Sequence, residues 1–177
     1  AYKEVKEKHA ETRLLVVGPG TRYRRKMEQL AKSLKLKDVI FVGAVSNEEL
    51  PCYYQTADIF CAPATGQESF GIVLLEAMAL SKAVVATNIA GYASVMTNGR
   101  EGLMVPPKKH KPLAQAINSL ITDEDLRKEL GERGRLTAEN YSWDRVAKRV
   151  VAFYNSTLHE AEQKDAYNPS GLKQTQC

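Results

Sequence analysis

Short apolar runs alternate with longer amphipathic stretches along this chain of 177 residues. Leu14–Val17, Val39–Val42, Ile59–Ala62 and Ala83–Thr87 are almost wholly apolar and stop at glycine, proline or polar residues. Runs of that kind predict strands buried on both faces of a parallel sheet, since half-exposed strands alternate instead. Helices are predicted between them. Residues 1–10 read as the end of one, with Tyr2, Val5 and His9 on one side. Gly18-Pro19-Gly20 turns the chain into a second, over about 22–35, and lacks the glycine spacing of a dinucleotide fingerprint because Tyr23 stands at the third position after Gly20. Ser46-Asn47-Glu48-Glu49 has the spacing of a capping box and opens a helix ending near Gln55. The next follows a loop at Pro63–Ser69, with Ser69 as its expected cap, and ends near Leu80.

After Thr87 a loop containing Gly91 leads to a short helix around Tyr92–Met96, and Asn98-Gly99 marks a turn. Leu103–Val105 is a last short strand, stopped by Pro106-Pro107. Helices are then expected over about 111–121, 123–132 and 142–160. Trp143 is the expected packing anchor of the last, and Val146, Val150, Phe153 and Tyr154 its apolar stripe. Strands alternating with helices on short connections specify an α/β domain with a doubly wound parallel sheet, here residues 1–160. Residues 161–177 are polar and expected to form a disordered tail. Ligands of such sheets bind at the carboxyl ends of the strands. Gly18–Gly20, Gly43–Ser46, Pro63–Ser69 and Asn88–Gly91 all fall on that edge.

Composition changes little: 44% hydrophobic and 26% charged residues suit a soluble globular domain. No apolar run approaches the length of a membrane span, and no charged-then-apolar leader opens the chain. The chain starts inside a predicted helix, which suggests a piece of a larger protein. Net charge is +4 but unevenly spread, with eleven Lys/Arg against four Asp/Glu in residues 1–37. Arg22, Arg24, Arg25 and Lys26 form the densest cluster, either a solvated helix face or a surface for a phosphate or an acidic membrane. No nucleic-acid partner is expected, since no binding motif or aromatic interleaving accompanies the charge. Cys52, Cys61 and Cys177 have neither disulfide nor zinc spacing, which points to a reducing cytoplasm, with Cys61 a small apolar filler of its strand. His9, His110 and His159 lie away from the ligand edge. Asp123-Glu124-Asp125 suits the first turn of a helix better than a metal.

The chemistry concentrates in Ala64–Ala79. Glu68 and Glu76 stand eight residues apart around a strand-to-helix junction containing Gly66 and Gly71. On spacing alone two such glutamates also suit a helix dipole or solvent. However, Glu76 interrupts the apolar helix Ile72–Ala79, and Glu68 lies on the ligand edge. A helix N-terminus offers N–H groups and a positive dipole end to phosphate. Counted from a cap at Ser69, Glu76 falls about 10 Å along the axis, which fits a ligand anionic in its middle and hydroxylated at both ends.

The Glu68–Glu76 pair resembles the E-x7-E motif of retaining glycosyltransferases with the two-domain GT-B fold. Ala57–Pro63 and Glu68–Met78 are most similar to the phosphatidylinositol mannosyltransferase group, and the likeness runs from about Thr12 to Tyr154. It implies a Rossmann-like C-terminal, donor-binding half whose donor is a nucleotide-sugar, GDP-mannose by preference. It also implies metal-independent chemistry without a cofactor. Glu68 would accept from sugar hydroxyls and act as the catalytic carboxylate, and the backbone of Phe70, Gly71, Ile72 and Val73 would meet sugar and diphosphate. Glu76 would hold the ribose, and Val45 and Ser46 would cradle the base. An acceptor domain of the same protein, a membrane lipid acceptor and a place at the inner face of the membrane follow from the same likeness. So does a diphosphate clamp of Arg and Lys preceding Ala1, without which the chain alone should be inactive. Ala90-Gly91-Tyr92-Ala93-Ser94 departs from the Gly-Gly-x-Pro-Glu that the group often has in this loop, so the loop says little about the sugar.

Overall fold

A computed structural model describes residues 1–167. Its elements run α1 (Tyr2–Lys8), β1 (Leu14–Val17), α2 (Arg22–Ser33), β2 (Val39–Gly43), α3 (Leu50–Thr56), β3 (Ile59–Ala62), α4 (Ile72–Ala79), β4 (Ala83–Thr87), α5 (Ala90–Ala93), β5 (Gly102–Val105), α6 (His110–Thr122), α7 (Glu124–Glu139) and α8 (Trp143–Tyr167). Every predicted strand is present, and all the pairings are parallel. Residues Ala1–Glu139 form one compact unit, and α8 belongs to a second.

The strands make two sheets rather than one. β1 pairs with β2, and β4 lies between β3 and β5. Among the described residues no strand pairs with the free edge of β1 or of β3, so hydrogen bonding does not pass between the sheets. α1 packs on α6 across this division, and His110 Nδ1 lies 2.8 Å from Glu4 Oε1 there.

β4 is the centre, buried at all five positions. Its Ala83 and Val85 join Val105, Ala116, Leu120 and Leu130 in a core closed by β5, α6 and α7. α4 packs chiefly on α7 and buries Leu74, Ala77 and Met78. Glycine makes this close packing feasible. A β-carbon on Gly131 would lie 2.2 Å from the Ser81 carbonyl oxygen, and one on Gly134 would lie 3.0 Å from Met78 Cγ.

α7 therefore runs to Glu139, past the end expected at 132. Gly131 and Gly134, which look like breakers in sequence, are its packing face. At its start the Leu126 N–H donates to Asp123 Oδ1 at 2.8 Å, which makes Asp123 a helix cap. The short helix near Gly91 starts earlier than expected, at Ala90. α8, taken by itself, continues to Tyr167 rather than stopping at 160, through residues such as Ala161, Glu162 and Gln163 with good helix propensity. Trp143 is 85% exposed, so it is not the packing anchor expected, and Phe153 and Tyr154 are exposed too. The tail expected over 161–177 lies, from residue 168 on, outside the described residues.

In the basic cluster Arg24 is structural. Its guanidinium donates to Glu28 Oε1 at 2.8 Å and to the Phe41 carbonyl at 3.0 Å, while Arg22, Arg25 and Lys26 are exposed. Cys61 is half-buried in β3, and burial pushes its thiol up to about 11.

Gly131→Ala tests the fold. In an ordinary helix this change stabilises by about 0.5–1 kcal/mol. Here the added methyl meets backbone, and a loss of about 1–3 kcal/mol is expected in urea unfolding.

Candidate functional site

β3 delivers the chain to the loop 63–70, and α4 takes it up at Ile72. The helix cap is Gly71, not Ser69. Gly71 is left-handed, with φ +91°, and makes no side-chain cap, while Leu74 N–H donates to its carbonyl at 2.9 Å. The left-handed residue turns the chain so sharply that the cap falls two residues beyond Ser69. Glycine is required twice over at this cap: by its φ, and because a β-carbon would lie 2.8 Å from Tyr92 Cδ1. Glu76 consequently stands five residues past the cap, about 7 Å along the axis and little more than one turn.

The short helix α5, just after β4, holds the loop 63–70. Gly91 lies so close to that loop that a β-carbon there would sit 2.0 Å from the Glu68 carbonyl oxygen. Beside it Tyr92 is buried under Gly71, and burial, followed by the Glu68 charge, raises its phenol above the ordinary tyrosine range. Thr87, the last residue of β4, is buried. Its hydroxyl donates to the Ala64 carbonyl and lies 3.5 Å from that of Ala62. Backbone contact and one hydroxyl thus set the position of the loop that carries Glu68.

On this platform Glu68, Phe70, Ile72 and Val73 are exposed and Gly71 is buried. The N–H groups of Ile72 and Val73 precede the first intrahelical bond and point out of the helix start, at the positive end of its dipole. Glu76 is half-buried, and its Oε2 accepts from the Tyr54 hydroxyl at 2.8 Å. Tyr54 lies in α3 with its ring buried edge-on to Phe60, 5.2 Å between centroids. Burial, and after it the hydrogen bond and charge of Glu76, hold the Tyr54 phenol well above the ordinary range.

The structure brings Glu68, Phe70, Gly71, Ile72, Val73 and Glu76 onto one junction. Val45 and Ser46 follow β2, a strand of the other sheet. The capping box there is formed: Ser46 N–H donates to Glu49 Oε2 at 3.0 Å, and Glu49 N–H to Ser46 Oγ at 3.2 Å. The Ser46 carbonyl also accepts from Leu50 N–H. Among the described residues no hydrogen bond or ion pair joins Val45 or Ser46 to the junction. Tyr54, Thr87 and Tyr92 belong to the site without any local pattern to announce them. For Gly91 the only signal was its place in a strand-end loop.

The model of the family described as glycosyl transferases group 1 matches residues 1–137. The chain belongs to that family. It is 36% identical over 156 residues to a D-inositol 3-phosphate glycosyltransferase of Corynebacterium urealyticum, covering 87% of this chain and 37% of that protein. It is 38% identical over 154 residues to a phosphatidyl-myo-inositol mannosyltransferase of Propionibacterium freudenreichii, covering 85% of this chain and 36% of that protein. The chain thus spans well under half the length of these relatives. Among solved structures, sucrose-phosphate synthase of Thermosynechococcus elongatus superposes with a TM-score of 0.80 at 28% identity, over 90% of this chain and 42% of that one. The fold is that of the C-terminal domain of GT-B glycosyltransferases, with parallel sheets as observed.

Two measurements test the site's construction. Gly91→Ala should displace the Glu68 loop, lower stability by about 1–3 kcal/mol and shift the amide resonances of 66–71 as well as those around position 91. The raised Tyr54 phenol makes stability fall as pH rises above about 10, where an unfolded tyrosine ionises and the folded one does not. Tyr54→Phe should be less stable at pH 8 but lose stability less steeply between pH 9 and 11, as read from urea midpoints.

Proposed function

We propose that this chain is the donor-binding half of a retaining glycosyltransferase that moves a hexose from a nucleotide-sugar to a lipid or saccharide acceptor. GDP-mannose is the preferred donor. The observation that carries the reading is the junction itself: two carboxylates flank a helix start that presents the Ile72 and Val73 N–H groups, in a chain of this family. Such a surface suits a diphosphate between two polyols. The name of one relative, a phosphatidyl-myo-inositol mannosyltransferase, supports mannose as the sugar, and with the other, a D-inositol 3-phosphate glycosyltransferase, it supports an inositol-containing acceptor.

In this reading Glu68 accepts from hydroxyls of the sugar and sets a negative charge beside the cation-like sugar of the transition state. The backbone of Phe70, Gly71, Ile72 and Val73 meets the sugar and the departing diphosphate. Glu76 accepts from the ribose hydroxyls, a task carboxylates also perform in dinucleotide folds. Val45 and Ser46 cradle the base through their backbone; with the Ser46 N–H engaged by Glu49, that contact falls to Val45 and to the remaining lone pair of the Ser46 carbonyl. Neither metal nor cofactor takes part. An acceptor domain in the same polypeptide brings the acceptor in line, which supplies the proximity contribution. The complete enzyme works in the cytoplasm, peripherally at the inner face of the membrane where a lipid acceptor is reached.

Saturation-transfer NMR on the chain tests this reading with GDP, GDP-mannose, UDP, UDP-glucose and NAD. Transfer to the ribose of GDP or GDP-mannose is expected, and should vanish in Glu76→Ala. Preference for the uridine series would keep the reaction class and change the donor. Nucleotide binding indifferent to both Glu68→Ala and Glu76→Ala would replace the enzyme with a non-catalytic binding module.

A further inference from the structure

Glu76 has an unusual setting for a carboxylate. It projects from a helix whose other residues, Ile72 to Ala79, are all apolar. Among the described residues it forms no salt bridge, and its one hydrogen bond is to the Tyr54 hydroxyl, 2.8 Å from Oε2. Tyr54 comes from a different helix, twenty-two residues earlier, and its own position is over-determined. Its ring is buried and edge-on to Phe60 of β3. The turn that leads into α3 is fixed by the Ser46–Glu49 capping box, and near the helix end the Gln55 carbonyl accepts from Lys82 Nζ at 2.8 Å.

We propose that Tyr54 is a positioning residue for Glu76, holding one carboxylate oxygen so that the other faces the ribose hydroxyls of the bound nucleotide. This rests on the nucleotide-sugar reading of the junction. A glutamate on a helix surface turns freely about its terminal bonds, and each turn moves the acceptor lone pairs away from a bound diol. One hydrogen bond to Oε2 from a donor locked by its own packing removes most of that freedom and leaves Oε1 directed outward. The chemistry of the partner matters as well. A lysine or arginine in place of Tyr54 would neutralise the carboxylate and compete for its lone pairs. A phenol has a single proton to give and no charge, so Glu76 stays an anionic acceptor for hydroxyl groups. Burial that raises the phenol keeps that proton in place across the working range of pH.

The test is titration calorimetry of the chain with GDP and with 2′,3′-dideoxy-GDP, and with the uridine pair should that series bind. Tyr54→Phe retains the ring and removes only the hydroxyl. Its GDP affinity should fall about five- to tenfold, the net scale of one ordinary intramolecular hydrogen bond, while dideoxy-GDP affinity stays the same. In a Glu76→Gln background the same change should have little effect on either ligand. A purely structural tyrosine would weaken both ligands alike, and that result would overturn the proposal. Should Tyr54→Phe prove unstable, fluorotyrosine incorporated at position 54 keeps ring and hydroxyl and is the stronger donor. It should preserve the contrast between the two nucleotides, and its loss there would also overturn the proposal. Failure of the underlying reading looks different. The unaltered chain would then show no preference for GDP over dideoxy-GDP, and both inferences would fall. A ribose preference that depends on Glu76 and ignores Tyr54 would overturn this one alone.

Discussion

A strand with no exposed residue has to be covered on both faces and paired on both edges, and β4 meets that demand for the whole compact unit. β3 and β5 take its edges; α6 and α7 close one face around Ala83 and Val85. Backbones come close enough only because glycine stands at the contacts, as at Gly102, where a β-carbon would lie 2.4 Å from the Val84 carbonyl oxygen. The last residue of the strand, Thr87, spends its hydroxyl on the loop leaving β3, and the next few residues lead into Gly91. The candidate junction is thus fastened to the most buried strand among the described residues. Its exposed side chains stand on a base with little freedom to move.

Much of this was legible in the chain. Strands announced themselves because continuous apolar runs of four or five residues, bounded by turn signals, suit strands buried on both faces. The capping box of Ser46 and Glu49 also formed as its spacing implied, since both partners lie within one turn. Trouble arose where local and long-range demands diverge. Ser69 has the chemistry of a cap, yet Gly71 starts the helix, because a left-handed turn under Tyr92 decides where the chain can enter it. Gly131 and Gly134 have the chemistry of breakers, yet a helix runs through both, because the neighbouring elements need the space. Trp143 has the chemistry of a core residue and is exposed. The division into two sheets was equally hidden, since pairing between strands distant in sequence leaves no periodicity to read.

The candidate site divides along the same line. Glu68 and Glu76 were visible because a carboxylate in an apolar helix is conspicuous, and because the motif around them is long. Tyr54 was invisible, one aromatic among the apolar positions of a short helix, until the fold placed its hydroxyl beside Glu76. Partners of a functional group are chosen by three-dimensional proximity, and nothing in the spacing of α3 refers to α4. The pairing of an anion with a neutral donor also explains how Glu76 is held without losing its capacity to accept.

The contact between Gly91 and the Glu68 carbonyl bears on how such a site can diversify. Two strand-end segments that touch through their main chains, a loop after β3 and the short helix α5 after β4, cannot drift separately. A residue gained or lost in one forces a matching change in the other, or else opens the platform beneath the acidic side chain. Variation in ligand preference should accordingly be found in side chains that point outward from these segments, while the segments keep their lengths as a matched pair.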